Sequence, residues 1–185
     1  ELAIFDYSQE QTGKMVAWGE ASAQGGCVWV RYGSFSLYGG TLDGSGVVAN
    51  VNGSTVNVPK NAVFNMYGGT IIGGKAVAAV SKTGSISNGM GGAVGVTGTM
   101  NMYGGVVEGA DLMLNESFEY GAAIYVSHKE VTDENTQEVS YIPGNLNIYG
   151  GQITSGTLPE SGKGDCIYLQ QYAKMTLSGN PHVGE

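Results

Sequence analysis

Apolar and polar residues alternate in a short phrase that recurs along the chain. Each full copy places two apolar residues, separated by one polar residue, ahead of a tyrosine, a Gly-Gly pair and a further apolar run. The copies are Phe35–Leu42, Phe64–Ile71, Met100–Val107, Leu146–Ile153 and the degenerate Met175–Val183. A period of two is typical of β-strands, in which successive side chains point to opposite faces. The phrase therefore predicts strands whose apolar residues point inward and form columns from copy to copy.

A second alternating phrase precedes each copy of the first. Its copies are Cys27–Val30, Thr55–Val58, Ala93–Val96, Ala123–Val126 and Cys166–Leu169. Each repeat is thus predicted to contain two short strands, with a tight corner at Gly-Gly where a side chain would clash or φ must be positive. No segment has the length and spacing of an amphipathic helix. Glycine supplies 32 of the 185 residues, which suits a chain with many corners.

Two all-β architectures can hold many short strands. A β-sandwich predicts hairpin turns and no strict repeat phase, whereas a solenoid predicts repeats that stack in register. The recurring phase favours the solenoid. Residues 1–24 fit the phrase poorly, and we expect them to form an incomplete coil or an N-terminal cap ahead of a repeat domain at 25–185.

The two cysteines test this stacking. Cys27 and Cys166 occupy the same slot of the second phrase, four coils apart. At ~4.8 Å per coil they are expected to be about 19 Å apart. A disulfide requires Cα atoms within about 7 Å, so we predict two separate, buried, free thiols.

Three stretches resemble a known family of repeats. They are Met66-Tyr-Gly-Gly-Thr-Ile71, Gly91-Gly-Ala-Val-Gly-Val96 and Leu177-Ser-Gly-Asn-Pro181. They look like right-handed parallel β-helix repeats of the pectate-lyase-like superfamily, found in large surface proteins of Gram-positive, often gut-dwelling, bacteria. The resemblance covers about residues 25–185. It implies an all-β, right-handed parallel β-helix (β-solenoid) of about five coils, cut from a longer extracellular or cell-surface protein with further domains.

Charge and hydropathy narrow the function classes. The net charge of −8 repels phosphate backbones and argues against nucleic-acid binding and a basic membrane-surface module. No apolar run approaches the ~20 residues of a membrane-spanning helix, so no membrane insertion is expected. Gly44–Ala49 matches a dinucleotide-binding pattern, but strand-like residues follow it where a phosphate-binding helix is required.

Carboxylates are the candidate catalytic residues, because the superfamily includes polysaccharide lyases and hydrolases. Asp43 and Glu108 share one repeat slot and are expected two coils or about 9.6 Å apart, just outside the ~6.5–9.5 Å of an inverting glycosidase pair. Ile72 lies between them at a predicted turn, which favours solvated carboxylates instead. Glu116 and Glu119 form a second pair with the same alternatives.

The lyases that the resemblance suggests use calcium-bound carboxylates and a lysine or arginine base. Arg31 is the only arginine, and no acidic cluster accompanies it in the repeat. The longest insertion, 127–145, is acidic and is interpreted as a solvated loop, with a functional loop as the alternative. Calcium binding by this insertion is a further alternative, although its acidic spacing does not match an EF-hand loop. Neither histidine belongs to a zinc motif, so no cofactor is expected, with calcium left as an unsupported alternative.

An outward face of tyrosines and asparagines is the candidate binding surface. Tyrosine rings can pack on sugars while amides pair with hydroxyls, but stacked tyrosine and asparagine ladders also stabilise neighbouring coils of a solenoid. The candidate ligand-binding residues are Tyr38, Tyr67, Tyr103, Tyr149, Asn65, Asn101 and Asn147.

The sequence therefore predicts a non-catalytic extracellular β-helix module of a bacterial surface protein. It would act in adhesion or as a stalk, with glycans or host surface molecules as partners. The alternative is a polysaccharide-active lyase or glycoside hydrolase, or its substrate-binding fragment, which predicts a carboxylate cluster in a groove.

Overall fold

A computed structural model describes residues 1–10, 12–21, 26–49, 53–76, 79–80, 86–87, 91–110, 120–158 and 163–184. These residues form β-strands, turns and bends, and no helix occurs among them. The strands are β1 (Leu2–Ile4), β2 (Lys14–Ala21), β3 (Val28–Trp29), β4 (Gly33–Leu37), β5 (Thr41–Ala49), β6 (Val56–Val58), β7 (Ala62–Met66), β8 (Thr70–Ile72), β9 (Lys75–Ala76), β10 (Ala79–Val80), β11 (Ile86–Ser87), β12 (Val94–Val96), β13 (Thr99–Met102), β14 (Val106–Glu108), β15 (Ile124–Val126), β16 (His128–Thr132), β17 (Val139–Pro143), β18 (Asn145–Ile148), β19 (Gln152–Thr154), β20 (Ile167–Leu169), β21 (Lys174–Leu177) and β22 (His182–Val183).

Most strands belong to three parallel sheets that run through the repeats. Sheet I has the order β1-β4-β7-β13-β18-β21, sheet II has the order β2-β5-β8-β14-β19-β22, and sheet III has the order β3-β6-β12-β15-β20. Strand β9 adds to sheet II beside β5, while β10–β11 and β16–β17 form separate antiparallel pairs. The prediction of an all-β fold with stacked parallel strands is confirmed.

Each repeat contributes three strands to the sheets, so the prediction of two was wrong. The run after Gly-Gly is a strand of its own, as Thr70–Ile72 shows by pairing with both neighbouring repeats. Its three residues were too short to separate from the preceding strand by alternation alone. The corner between them is tight because the second glycine has a positive φ, for example +83° at Gly69 and +89° at Gly105.

The apolar columns form the core. Phe35, Phe64, Met100 and Leu146 are paired in register along sheet I, and none of them is exposed. The phenyl rings of Phe35 and Phe64 stack with centroids 5.2 Å apart. Sheets II and III add aliphatic columns of the same kind, so side chains from all three sheets meet in one cluster. Repeat positions thus align one above another, which also places the outward residues in columns.

The N-terminal segment adds strands to two of these sheets. Leu2–Ile4 pairs with β4 and Lys14–Ala21 pairs with β5, both in parallel. The acidic insertion at 127–145 is an antiparallel hairpin of β16 and β17 rather than a loop. At its tip the Asp133 carboxylate accepts hydrogen bonds from the backbone N–H groups of Asn135 and Thr136 at 2.8 and 2.9 Å, and these bonds lower its pKa.

Both cysteines are free, as the stacking predicted. They precede the two edge strands of sheet III, β3 and β20, at opposite ends of the stack. The prediction that they are buried was wrong, because each lies beside an edge strand and is only partly covered. Burial nevertheless raises the pKa of Cys27 to about 11 and also raises the pKa of Cys166, so both favour the protonated thiol at neutral pH.

Candidate functional site

The outward tyrosines form one continuous column at the corner between sheets I and II. Each tyrosine directly follows a strand of sheet I, and its backbone N–H donates to the preceding repeat, as Tyr103 does to the Met66 carbonyl at 2.8 Å. Phe5 occupies the same slot ahead of Tyr38, because Ile4 pairs with Leu37. The strand pairing therefore fixes the position of every ring before any ring touches its neighbour.

The rings of this column stack on one another. The centroid distances are 4.3 Å for Phe5–Tyr38, 4.7 Å for Tyr38–Tyr67, 4.9 Å for Tyr67–Tyr103 and 5.0 Å for Tyr103–Tyr149. These spacings match the separation of neighbouring strands, so identical rings in equivalent positions come into contact. The four tyrosines remain between 38% and 46% exposed. Because neighbouring rings cover each other's faces, the column presents mainly ring edges and hydroxyls to solvent.

A ladder of asparagine amides runs beside the tyrosines. Asn101 Nδ2 donates to Asn65 Oδ1, and Asn147 Nδ2 donates to Asn101 Oδ1, both at 2.9 Å. Asn101 therefore uses its amide in both directions, whereas Asn65 only accepts and Asn147 only donates within the ladder. The side chains are partly buried. Ser36, which precedes them in the same column, is 1% exposed and lies 3.4 Å from a Glu1 carboxylate oxygen.

The structure thus brings all seven candidate ligand-binding residues onto one face. We call this set, namely Tyr38, Tyr67, Tyr103, Tyr149, Asn65, Asn101 and Asn147, the Tyr/Asn face. Its hydrogen-bonding groups repeat at the strand spacing. Only Tyr149 has no aromatic ring in the next slot, which holds Ser178, so its outer face differs from those of the other three rings.

The outward column of sheet III is less regular. Strand pairing aligns one residue from each repeat, and Asn57 and Gly95 interrupt the aromatic residues Trp29, Tyr125 and Tyr168. Tyr125 and Tyr168 stack with centroids 5.8 Å apart. Tyr125 is only 3% exposed, and this burial raises its pKa to about 12. This column therefore presents no continuous aromatic surface.

The carboxylate pair is aligned as its slot predicts, but the interpretation of Asp43 as a solvated turn residue was wrong. Asp43, Ile72 and Glu108 are neighbours in sheet II, and Asp43 is 6% exposed within strand β5. Lys14 Nζ lies 2.5 Å from its carboxylate, and the Ser45 N–H donates to it at 2.9 Å. These partners, Lys14 first, hold the pKa of Asp43 at about 2.

A carboxyl with so low a pKa is ionised at neutral pH and is unsuited to act as a general acid, which needs a raised pKa. Glu116 and Glu119 lie outside the described residues.

Within the described ranges no three His, Cys, Asp or Glu side chains are grouped closely enough to hold a metal ion. The same part of the chain contains no helix with the length and hydropathy of a membrane span. Gly44–Ala49 lies inside strand β5, so the glycines of the dinucleotide-like pattern belong to a strand and not to the start of a helix.

The structure also groups residues that the repeat pattern did not single out. Arg31, Lys60, His128 and Lys129 line one groove of about 560 Å³. They follow Val30, Val58 and Val126, the final residues of three copies of the second phrase, with Arg31 and Lys60 in connections between strands and His128 and Lys129 in β16. This shared position after the second phrase was the sequence signal for the groove, and it becomes visible only when the copies are stacked.

No protein-family model, curated protein or solved structure matches this chain. The geometry of its surface is therefore the basis for assigning a function to it.

Proposed function

We propose that this chain is a right-handed parallel β-helix of about five coils that serves as a non-catalytic module of an extracellular bacterial surface protein. It acts in adhesion or as a stalk, and it contacts glycans along the Tyr/Asn face. The observation that carries the proposal is the unbroken column of stacked, exposed tyrosines beside the asparagine ladder.

The chemistry of this face suits a repeating, uncharged ligand. Tyrosine hydroxyls both donate and accept hydrogen bonds, and they recur along one line at the spacing of the strands. None of the seven residues of the face carries a carboxylate or an ammonium group, so recognition by them would depend on hydrogen bonds and apolar contact. A polysaccharide presents hydroxyls and apolar ring faces in the same repeating manner.

Order in the free protein further supports binding. The rings are held by their neighbours and the amides by one another, so little side-chain freedom is lost when a ligand is bound. The same order stiffens the stack, which suits a stalk. Adhesion and the stalk role depend on the same ordered structure, and they differ in whether the Tyr/Asn face binds a ligand.

A binding screen with two variants tests the proposal. The chain is assayed against plant polysaccharides, host mucins and bacterial glycans, with and without calcium, and each mixture is checked for cleavage products. Tyr67→Phe/Tyr103→Phe removes two hydroxyls but keeps the stack, whereas Tyr67→Ala/Tyr103→Ala removes the rings. Circular dichroism and thermal melting establish that each variant is folded.

We expect a neutral glycan to bind without cleavage, the Phe variant to bind more weakly and the Ala variant to lose binding. Loss in the Ala variant alone would assign recognition to the rings rather than the hydroxyls. Cleavage of any glycan would overturn the non-catalytic assignment and favour the lyase or hydrolase alternative. Absence of binding to every glycan tested would overturn glycan contact and leave the stalk as the proposed role.

A further inference from the structure

A groove on another side of the molecule has chemistry unlike that of the Tyr/Asn face. It has a volume of about 560 Å³ and lies where sheet III turns toward sheet I. Trp29 ends β3, Arg31 and Tyr32 lie in the turn to β4, Lys60 lies in the turn from β6 to β7, and Lys129 lies in β16. Stacking of the repeats and the base of the hairpin together create this groove.

The groove concentrates positive charge in an acidic protein. Arg31, Lys60 and Lys129 line it, and no residue of its wall is an aspartate or glutamate. The chain carries only 8 lysines and arginines and has a net charge of −8. In the described part of the chain the one ion pair joins Lys14 to Asp43, so none of the three groove cations has a carboxylate within 4.0 Å there. Uncompensated cations in the groove attract an anion, whereas the negative charge elsewhere on the chain disfavours its binding to the rest of the surface.

Arg31 is positioned by two aromatic rings. Its guanidinium carbon lies 5.8 Å from the centroid of Trp29 and 5.7 Å from the centroid of Tyr32. Contacts of this kind restrain the guanidinium while its planar N–H fork stays available for a carboxylate or sulfate. The rings themselves are 50% and 72% exposed, so they also offer apolar surface to a ligand.

The opposite wall is rigid. The ring of His128 packs edge-on against Tyr141 and Tyr172, with centroids 5.0 and 5.4 Å away. Tyr141 and Tyr172 stack at 4.1 Å, which ties the hairpin to the turn after β20. The hairpin therefore holds His128 and Lys129 at a fixed place beside the groove.

We propose that this groove binds an acidic saccharide. Arg31, Lys60 and Lys129 bind its carboxylate or sulfate groups, and Trp29 and Tyr32 pack against a sugar ring. The shared chemistry is an anionic group on a sugar, whether a uronate carboxylate or a sulfate ester. This site is separate from the Tyr/Asn face and does not depend on glycan contact there.

Isothermal titration calorimetry at low salt with four probes tests the site. The probes are an oligogalacturonate, a heparin-derived tetrasaccharide, a neutral cello-oligosaccharide and inorganic sulfate. Arg31→Gln and Lys60→Gln remove groove charges, and Arg31→Lys keeps the charge but loses the planar fork. Lys75→Gln removes an exposed cation outside the groove wall and is the matched control for net charge.

We expect at least one acidic oligosaccharide to bind, with the carboxylate and sulfate probes showing which group is preferred. Arg31→Gln and Lys60→Gln should each weaken binding about tenfold, Arg31→Lys should weaken it less, and Lys75→Gln and Tyr67→Phe/Tyr103→Phe should leave it unchanged. Equal binding of the neutral probe, no binding of either acidic probe, or equal losses in Arg31→Gln and Lys75→Gln would overturn the proposal. Sulfate binding as tightly as the tetrasaccharide would overturn its saccharide part.

Discussion

Asn101 lies in the middle of the asparagine ladder, and its replacement by alanine should destabilise the stack measurably. The substitution removes two side-chain hydrogen bonds of 2.9 Å, one to Asn65 and one from Asn147. Each contributes about 1 kcal/mol to stability, so the expected loss in the free energy of unfolding is about 2 kcal/mol. Asparagine and alanine are both depleted in strands, so the change in strand propensity offsets only a small part of this loss.

The direction of the ladder gives a sharper test with matched charge. Asn65 only accepts in the ladder, and an aspartate can accept too, so Asn65→Asp should have little effect. Asn147 only donates, so Asn147→Asp loses its bond and places a carboxylate against Asn101 Oδ1. We expect Asn147→Asp to cost at least ~1 kcal/mol more than Asn65→Asp.

Urea unfolding at neutral pH, followed by circular dichroism, measures these differences as shifts of the midpoint at constant slope. Both aspartate variants add one negative charge, so general repulsion cancels in the comparison. Equal losses for the two aspartates, or a greater loss for Asn65→Asp, would refute the donor and acceptor assignment. An unchanged midpoint for Asn101→Ala would refute a stabilising ladder.

Two further predictions concern the glycine corners and the partly buried ion pair of Lys14 and Asp43. Gly33→Ala should lower the free energy of unfolding by about 1–2 kcal/mol, since φ is +81° there and no atom crowds a new Cβ. Gly105→Ala should cost clearly more in the same urea assay, because its Cβ would lie 2.6 Å from a neighbouring backbone oxygen. Similar costs for the two variants would contradict this prediction. The pKa of Asp43 is lowered from 3.8 to about 2, so this residue should contribute stability above pH ~4 that is lost as the pH falls toward 2. Lys14→Met removes its partner and should therefore move the midpoint of acid unfolding to higher pH. Identical acid midpoints in the wild type and the variant would exclude this contribution.

Alternation and phase predicted the core of the first four copies and the alignment of the Tyr/Asn face. The prediction of buried apolar residues was wrong for the fifth copy, because Met175 and Leu177 lie on the edge strand β21 and are 37% and 52% exposed. Phe64 and Met66 alternate with Asn65 and Tyr67, so one strand already separates the inward from the outward columns. Stacking of the rings then follows from strand pairing, since equivalent positions recur at the strand spacing. The third strand of each repeat was harder to predict, because a segment such as Thr70–Ile72 is too short for its period to be counted.

Contacts between distant segments could not be predicted in the same way. Asp43 was interpreted as a solvated residue because nothing in the repeat indicates Lys14, which comes from a segment that fits the phrase poorly. The partial exposure of Cys27 depends on β3 being an edge strand, which is a property of the stack rather than of the phrase. The groove was equally hard to predict, since Arg31 and Lys129 line it together only because of the strand register and the position of the hairpin.

The parallel pairing of sheets I, II and III has a mechanical consequence. The hydrogen bonds between repeats are directed from one strand to the next, along the direction in which the repeats stack. A pulling force applied between the two ends of the stack would act on these bonds at one interface at a time. Each repeat contacts only its neighbours, so rupture would proceed by the peeling of single repeats, and the chain released at each step would dissipate the load gradually.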